Sequence, residues 1–199
     1  ALADRKPVKG DAFLPAFPLG VETGCRIGNS VSPSHYDVGW HITATAGVFG
    51  AAAAAGRLLG LSEQQMVWAL GIAATQSSGL REMFGTMVKP MHPGHAARNG
   101  LLAALLASKD FTSSEQGIEG RRGFANVLAT ARNYDEITRG LGTTWESALN
   151  TYKPFACGIV EHPAIDACIQ LRNEHKLKAG AIESIALKVH PLVDRKSVV

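Results

Sequence analysis

Three short stretches gather ionisable and polar side chains between apolar runs: Ser34-His35-Tyr36-Asp37-Val38-Gly39-Trp40-His41, Lys89-Pro90-Met91-His92-Pro93-Gly94-His95, and Tyr152-Lys153-Pro154-Phe155-Ala156-Cys157-Gly158. Each falls at or near the expected mouth of a helix, where free N–H groups and the positive end of the dipole favour carboxylates. Lysine and histidine placed there suit a small anionic ligand. Lysines can pin carboxylates and an imidazole can shuttle a proton, which are the parts needed to move a proton next to a carboxylate and stabilise the charge that develops. His41 is the candidate acid/base group, and Lys89 and Lys153 are the candidate catalytic carboxylate binders. Tyr36, Asp37, His92, Cys157 and Gly158 are candidates for contacting the substrate or supporting those three. Which group is acid and which is base stays open.

Plainer readings stand beside these. A histidine before a helix commonly serves as a cap, Tyr36 and Asp37 suit a turn, and His92 and His95 suit the mouth of a helix. Cys157 reads as a small packed residue, since nothing in the sequence lowers its pKa. Lys89 and Lys153 each precede a proline, which restricts the local chain and presets a direction for the side chain.

The elements that must position these residues carry mostly helix signals. Residues 12–31 place Phe13, Leu14, Phe17, Val21 and Ile27 on one helical face around Pro15 and Pro18, which predicts a kinked helix. The run 43–59 is so rich in alanine and glycine that its helix must be buried and packed closely on its neighbours. Ser62 and Gln65 form a capping-box signature with Leu61 as a staple onto Met66, predicting a helix over 63–76. Pro93 is expected to open a helix reaching Ala107, with Ala97, Leu101, Ala104 and Leu105 as its core face. Thr112 with Glu115 resembles another capping box, and short helical segments are expected at 123–131 and 134–139.

The pattern changes near 141–144. Beyond it, 150–155 reads as a short strand, 163–175 as a helix opened by proline, and 182–190 as a strand with Ile185, Leu187 and Val189 on one face. The expected fold is mainly α: part of a helical bundle domain over 1–143, the start of an α+β domain over 144–193, and a tail over 194–199 foreign to it. A strand with one apolar face needs partners and a cover, so the chain reads as an excerpt of a longer protein.

Composition bounds the partners. Of 199 residues, 46% are hydrophobic and 19% charged, enough to bury a sizeable core and unlike a disordered chain. The 20 basic and 17 acidic residues are dispersed, leaving +3 and no like-charge block to track a phosphate backbone, so nucleic acid is not an expected partner. The longest apolar run, 48–55, falls short of the roughly 20 residues a membrane helix needs, and the basic N-terminus lacks the apolar segment of a signal peptide. Cys25, Cys157 and Cys168 are odd in number with no CxxC spacing, which fits a reducing cytoplasm. No HExxH occurs, and no metal site is expected.

The same three clusters carry a resemblance. His35-Tyr36-Asp37-x-Gly39-Trp40-His41-x-Thr43, followed by Gly47 and Gly50, is similar to the HYDxGWHxT segment of the MmgE/PrpD family, which contains 2-methylcitrate dehydratase, cis-aconitate decarboxylase and iminodisuccinate epimerase. Lys89-Pro90-x-His92-x-Gly94-x-Ala96-Ala97 looks like its KPxHxGxAA segment. Tyr152-Lys153-Pro154-Phe155-x-Cys157, with His162, Ile165 and Asp166, looks like its KPYPxC…HxxID segment. The resemblance implies a helical domain, an α+β lid and an active site in the cleft between them, with His41 and Lys89 on the helical side and Lys153 just inside the lid. It implies no metal, iron–sulfur cluster or organic cofactor, a small polycarboxylate substrate, and a homodimer through the helical domain.

The activity so implied is that of a cofactor-independent lyase of the 2-methylcitrate dehydratase type, with an epimerase or decarboxylase of the same family as the alternative. In a decarboxylase member the loop after the lid lysine offers a histidine where this chain has Gly158, a departure that argues against decarboxylation. A reading from another class is a catalytically silent helical binding or assembly module.

Overall fold

The structure, a computed structural model, describes residues 2–5 and 7–189, and the chain divides into two units, Ala1–Leu149 and Asn150–Val199. In chain order the first unit holds α1 (Leu2–Arg5), α2 (Gly10–Val31), α3 (Ser34–Asp37), α4 (Ile42–Leu59), α5 (Glu63–Thr75), α6 (Val88–Ala107), α7 (Phe124–Leu128) and α8 (Asp135–Thr138). The second holds α9 (His162–His175).

Small side chains decide how closely these helices approach. The alanine- and glycine-rich α4 is the central element, packed against α2, α5 and α6. A Cβ on Gly50 would lie 2.5 Å from the Gly20 carbonyl oxygen of α2, and one on Gly100 of α6 would lie 2.6 Å from the Val48 oxygen and 2.7 Å from the Ala52 nitrogen. At both crossings backbone meets backbone, so only glycine fits. Around them a core forms from Ile27, Val31, Val48, Phe49, Ile72 and Phe124, filled in by alanines. By length and composition the 18 residues of α4 could cross a membrane, yet 56% of the helix is buried inside the first unit.

Helix ends follow the local signals. Gly60, at φ 70°, closes α4 by donating to the Arg57 and Gly56 carbonyls, the left-handed stop that glycine adopts without steric cost. The Ser62 hydroxyl accepts from the Gln65 N–H at 3.2 Å, and the Gln65 side chain accepts from the Ser62 N–H at 3.1 Å, so the expected capping box opens α5.

Several local expectations are corrected. α2 is the expected helix with Pro15 and Pro18 inside it, but only the C-terminal part of its expected face is covered: Ile27 is buried and Val21 half-buried, while Phe13, Leu14 and Phe17 are 51%, 69% and 62% exposed. Gly20 and Gly28 are buried as well: a Cβ on Gly20 would lie 2.7 Å from the Gly50 oxygen of α4, while Gly28 packs on the Ala46 and Ile42 side chains. On the same helix Glu22 and Arg26 are buried as an ion pair, Nε to Oε1 2.6 Å. The Arg26 guanidinium also donates to the carbonyls of Ile137, Arg139 and Thr144, while the Glu22 carboxylate accepts from the N–H groups of Glu146 and Ser147. Burial would raise the Glu22 carboxyl, but the Ser147 N–H, Arg26 and the Glu146 N–H outweigh it and hold it below its ordinary value. The pair pegs the 136–147 segment to α2.

Likewise α6 begins at Val88 rather than Pro93, which sits inside it, and its buried stripe is Ala96, Gly100, Ala103, Ala104 and Ala107. Of the expected core face Ala104 is buried, Leu101 and Leu105 are half-buried and Ala97 is exposed: close approach to α4 selects the smaller residues. Thr112 and Glu115 open no helix; residues 111–114 are irregular and 115–120 form turns and a bend, in which Glu115 accepts from Gln64. The segments expected at 123–131 and 134–139 shorten to α7 and α8.

Neither 150–155 nor 182–189 pairs as a strand; the one β-bridge among the described residues joins Trp40 to Leu80. Alternating side chains make no strand without a partner edge to bond, and Ile185, Leu187 and Val189 stay exposed. His190 and the tail 194–199 lie outside the described residues.

Candidate functional site

The site is built on the turn that leads into α4. His35 is its pillar: fully buried, it bonds through Nδ1 to the Leu128 oxygen at 2.8 Å and through Nε2 to the Thr45 hydroxyl at 2.7 Å. Burial lowers its pKa against the opposing pull of the Leu128 carbonyl. Trp40 stacks on this ring with centroids 5.9 Å apart. The turn then joins the segment after α5: Arg81 N–H donates to the Gly39 oxygen and His41 N–H to the Gly79 oxygen, at 2.8 and 2.9 Å.

His41 is thereby fixed as the residue capping α4, with φ −86° and ψ 101°. Gly79 has φ +144°, and a Cβ there would lie 2.5 Å from the Ala44 Cβ and 3.4 Å from His92 Nδ1. Only glycine lets this turn pass so close to α4 and α6. The His41 ring meets the edge of Phe84 at 4.9 Å and 87°, and its Nδ1 lies 2.8 Å from Nδ1 of His92. Both imidazoles are buried, with 7% and 5% of their residues' surface exposed. Burial first, then the charges of His92 and Lys89, push the His41 pKa down to about 4. Near neutral pH His41 is therefore an uncharged imidazole, able to accept a proton.

Lys89 is exposed on the first turn of α6, three residues before His92, a spacing that puts both on one side of the helix. Tyr36 is half-buried beneath the Arg81 guanidinium, whose carbon lies 3.7 Å from the ring centroid, while Arg81 Nη1 donates to the Tyr36 carbonyl at 2.8 Å. Arg81 Nε is buried without a hydrogen-bond partner. Asp37 is exposed at the end of α3. His95 contacts the Asn99 side chain at 3.0 Å on the next turn of α6.

In the second unit Lys153 is exposed and donates to the Cys157 carbonyl at 3.1 Å. The Cys157 thiol is raised above its ordinary value by partial burial and Glu161, against the pull of Lys153, so it is no thiolate nucleophile. Gly158 is exposed and precedes the short 3₁₀ turn Ile159–Glu161. His162 starts α9, buried, with its ring edge-on to Phe155 at 5.4 Å.

Of the residues singled out from sequence, His41 and His92 come into direct contact with Lys89 acting on His41, Tyr36 and Asp37 stand on the adjoining α3, and Lys153, Cys157 and Gly158 gather in the second unit. Gly79, Arg81 and Phe84 were not legible as part of the site. Ser77-Ser78-Gly79 has the composition of a turn that ends a helix, but nothing in it aims the turn at His41. Among the described residues no three His, Cys, Asp or Glu side chains gather into a metal site.

Comparison with known proteins agrees with the three-segment resemblance. Residues 1–137 match the MmgE/PrpD N-terminal domain. Cis-aconitate decarboxylase of Aspergillus terreus is 35% identical over 179 residues, covering 85% of this chain and 36% of that protein. The human cis-aconitate decarboxylase is 32% identical over 182 residues, 87% of this chain and 37% of its own length. That of Mus musculus is 31% identical over 200 residues, 95% and 40%. The chain thus spans 36 to 40% of the length of these curated relatives. With the family's N-terminal domain matched over residues 1–137 and its motif histidines packed at the head of the central helix, the chain belongs to the MmgE/PrpD family.

Proposed function

We propose that this chain is part of a lyase that acts on a small polycarboxylic acid by moving a proton next to a carboxylate. The observation that carries the reading is the buried, uncharged His41 imidazole, with the Lys89 ammonium acting on it from α6. His41 exchanges the proton, Lys89 holds a carboxylate, and Tyr36 and Asp37 support the turn that carries His41; the resemblance implies a carboxylate-holding role for Lys153 as well. The resemblance of the three segments implies that no cofactor takes part.

The relatives at 31–35% identity favour decarboxylation of a cis-aconitate-like acid, in which the C–CO₂ bond breaks and the carbon left with the electron pair takes a proton. Gly158, standing where a decarboxylase member offers a histidine, favours a second reading. There, a 2-methylcitrate-type hydroxy acid loses a proton beside a carboxylate and its hydroxyl departs as water.

The full-length protein offered cis-aconitate and 2-methylcitrate, with a chelator present, separates these. Released CO₂ supports the first, and loss of water without CO₂ supports the second. Tight binding of both acids without turnover would remove the lyase reading. His41→Gln should cut turnover at least about 100-fold, the scale of one general acid/base group; unchanged turnover would remove His41 from the chemistry.

A further inference from the structure

His41 and His92 meet through like atoms. At 2.8 Å the two Nδ1 atoms share one proton, so one ring donates and the other accepts. If His92 donates, His41 carries its own proton on Nε2 and presents an acid; if His41 donates, its Nε2 is a bare lone pair and presents a base. The proton's place in this contact decides what His41 offers on its far side. The geometry leaves little freedom to lose the contact: Phe84 stands edge-on to His41, the Gly79 turn closes over His92, and both rings are buried.

We infer that His92 is a positioning residue that acts through His41, setting by their Nδ1 contact which ring nitrogen of His41 carries the reacting proton. The inference rests on the lyase reading above. For proton delivery the pair starts with one extra proton, held on His92. The Nε2 proton of His41 passes to the substrate carbon, the Nδ1 of His41 takes the Nδ1 proton of His92, and both rings end neutral. For proton abstraction the same transfers run in reverse. The charges acting on His41 are those of His92 and Lys89, both on α6, while the 79–84 turn contributes the Gly79 backbone and the Phe84 ring.

The test uses the full-length enzyme with His92→Phe and His92→Asn. Asparagine attaches a polar atom to Cγ at the place of Nδ1, so it can hold the His41 tautomer but cannot relay a proton. His92→Phe should lower kcat by about 10- to 100-fold, the usual cost of losing a partner that orients a functional imidazole, with KM changed less than about threefold. His92→Asn should recover part of that loss. Deuterium exchange at the His41 C2 position, followed by mass spectrometry against pH, reads the ring without any turnover. Its midpoint should rise from about 4 in His92→Asn, because a repelling neighbour is gone. An unchanged kcat in His92→Phe, or a loss confined to KM that marks His92 as a substrate ligand, overturns the inference. So does an unmoved His41 midpoint. Should the wild-type enzyme turn over no polycarboxylate, the lyase reading fails on its own, and the exchange midpoint still decides whether the two rings are coupled.

Discussion

Two glycines of α6 should respond to the same substitution with opposite signs. In a helix interior, alanine is favoured over glycine by about 1 kcal/mol. At Gly94 an added Cβ meets nothing within 4 Å, so Gly94→Ala should keep most of that gain and stabilise by about 0.5–1 kcal/mol. At Gly100 the same methyl would stand 2.6 Å from the Val48 oxygen and 2.7 Å from the Ala52 nitrogen. These are backbone atoms of the central helix, with no flexible side-chain end to yield. Overpacking of this kind costs about 1–3 kcal/mol, and with rigid neighbours the upper part of that range applies, so Gly100→Ala should lose about 1–2 kcal/mol net. Urea unfolding of the full-length protein, followed by the helical circular dichroism signal, measures both. The midpoints should move apart with the slope unchanged. A stabilised Gly100→Ala would show that α4 and α6 do not approach as described, and a destabilised Gly94→Ala would show that this face of α6 is covered.

Arg26→Met should destabilise by about 3–5 kcal/mol, since it strands the buried Glu22 carboxylate and leaves the carbonyls of Ile137, Arg139 and Thr144 without their donor. Faster hydrogen exchange at residues 136–147 locates the effect, and a loss under about 1 kcal/mol would refute the peg. Stability should also fall in mild acid through His41. With the folded value down at about 4 against an ordinary 6.5, the unfolded chain binds the extra proton first. Stability is therefore lost as pH falls below 6.5 and levels off only below about 4, and the loss between about pH 7.5 and pH 5 is about 2 kcal/mol. His35, also lowered by burial, adds in the same direction. His41→Gln should flatten the dependence, and an equally steep one in that variant would show that other groups cause it.

What the sequence made legible were the features set by neighbours along the chain. The Ser62–Gln65 box and the burial of the alanine-rich α4 follow from residues within a few positions of each other, and both are present. The expected faces of α2 and α6 hold at Ile27 and Ala104 and fail at the other bulky positions for one physical reason. A hydrophobic-stripe reading ranks Phe13, Phe17, Leu101 and Leu105 above Ala96, Gly100 and Gly20, but where helices cross backbone to backbone, size outweighs hydrophobicity. The burial of Glu22 and Arg26 was hidden because it depends on a segment more than 110 residues away. The expected strands failed because alternation specifies a face and not a partner. In the site, the motif marked His41 and His92 separately; their contact is tertiary, and no spacing along the chain encodes it.

That tertiary contact has a lever in the same helix crossing. Gly100 lies eight residues beyond His92, about 12 Å along α6 at the usual helical rise. The α4–α6 approach at Gly100 thus sets the height at which α6 carries His92 over the head of α4, where His41 caps the helix. A hydrogen bond at 2.8 Å is lost once the atoms part beyond about 3.5 Å, so a separation of roughly 1 Å between the helices is enough to break it. If the crossing and the imidazole pair are one mechanical unit, Gly100→Ala should lose activity at temperatures where the protein is still folded, and its His41 exchange midpoint should rise as it does in His92→Asn. Gly94→Ala, which presses on nothing within 4 Å, should leave that midpoint where it is. A folded Gly100→Ala with an unshifted midpoint would separate the glycine crossing from the site and leave Gly79 and Phe84 as the parts that hold the pair together.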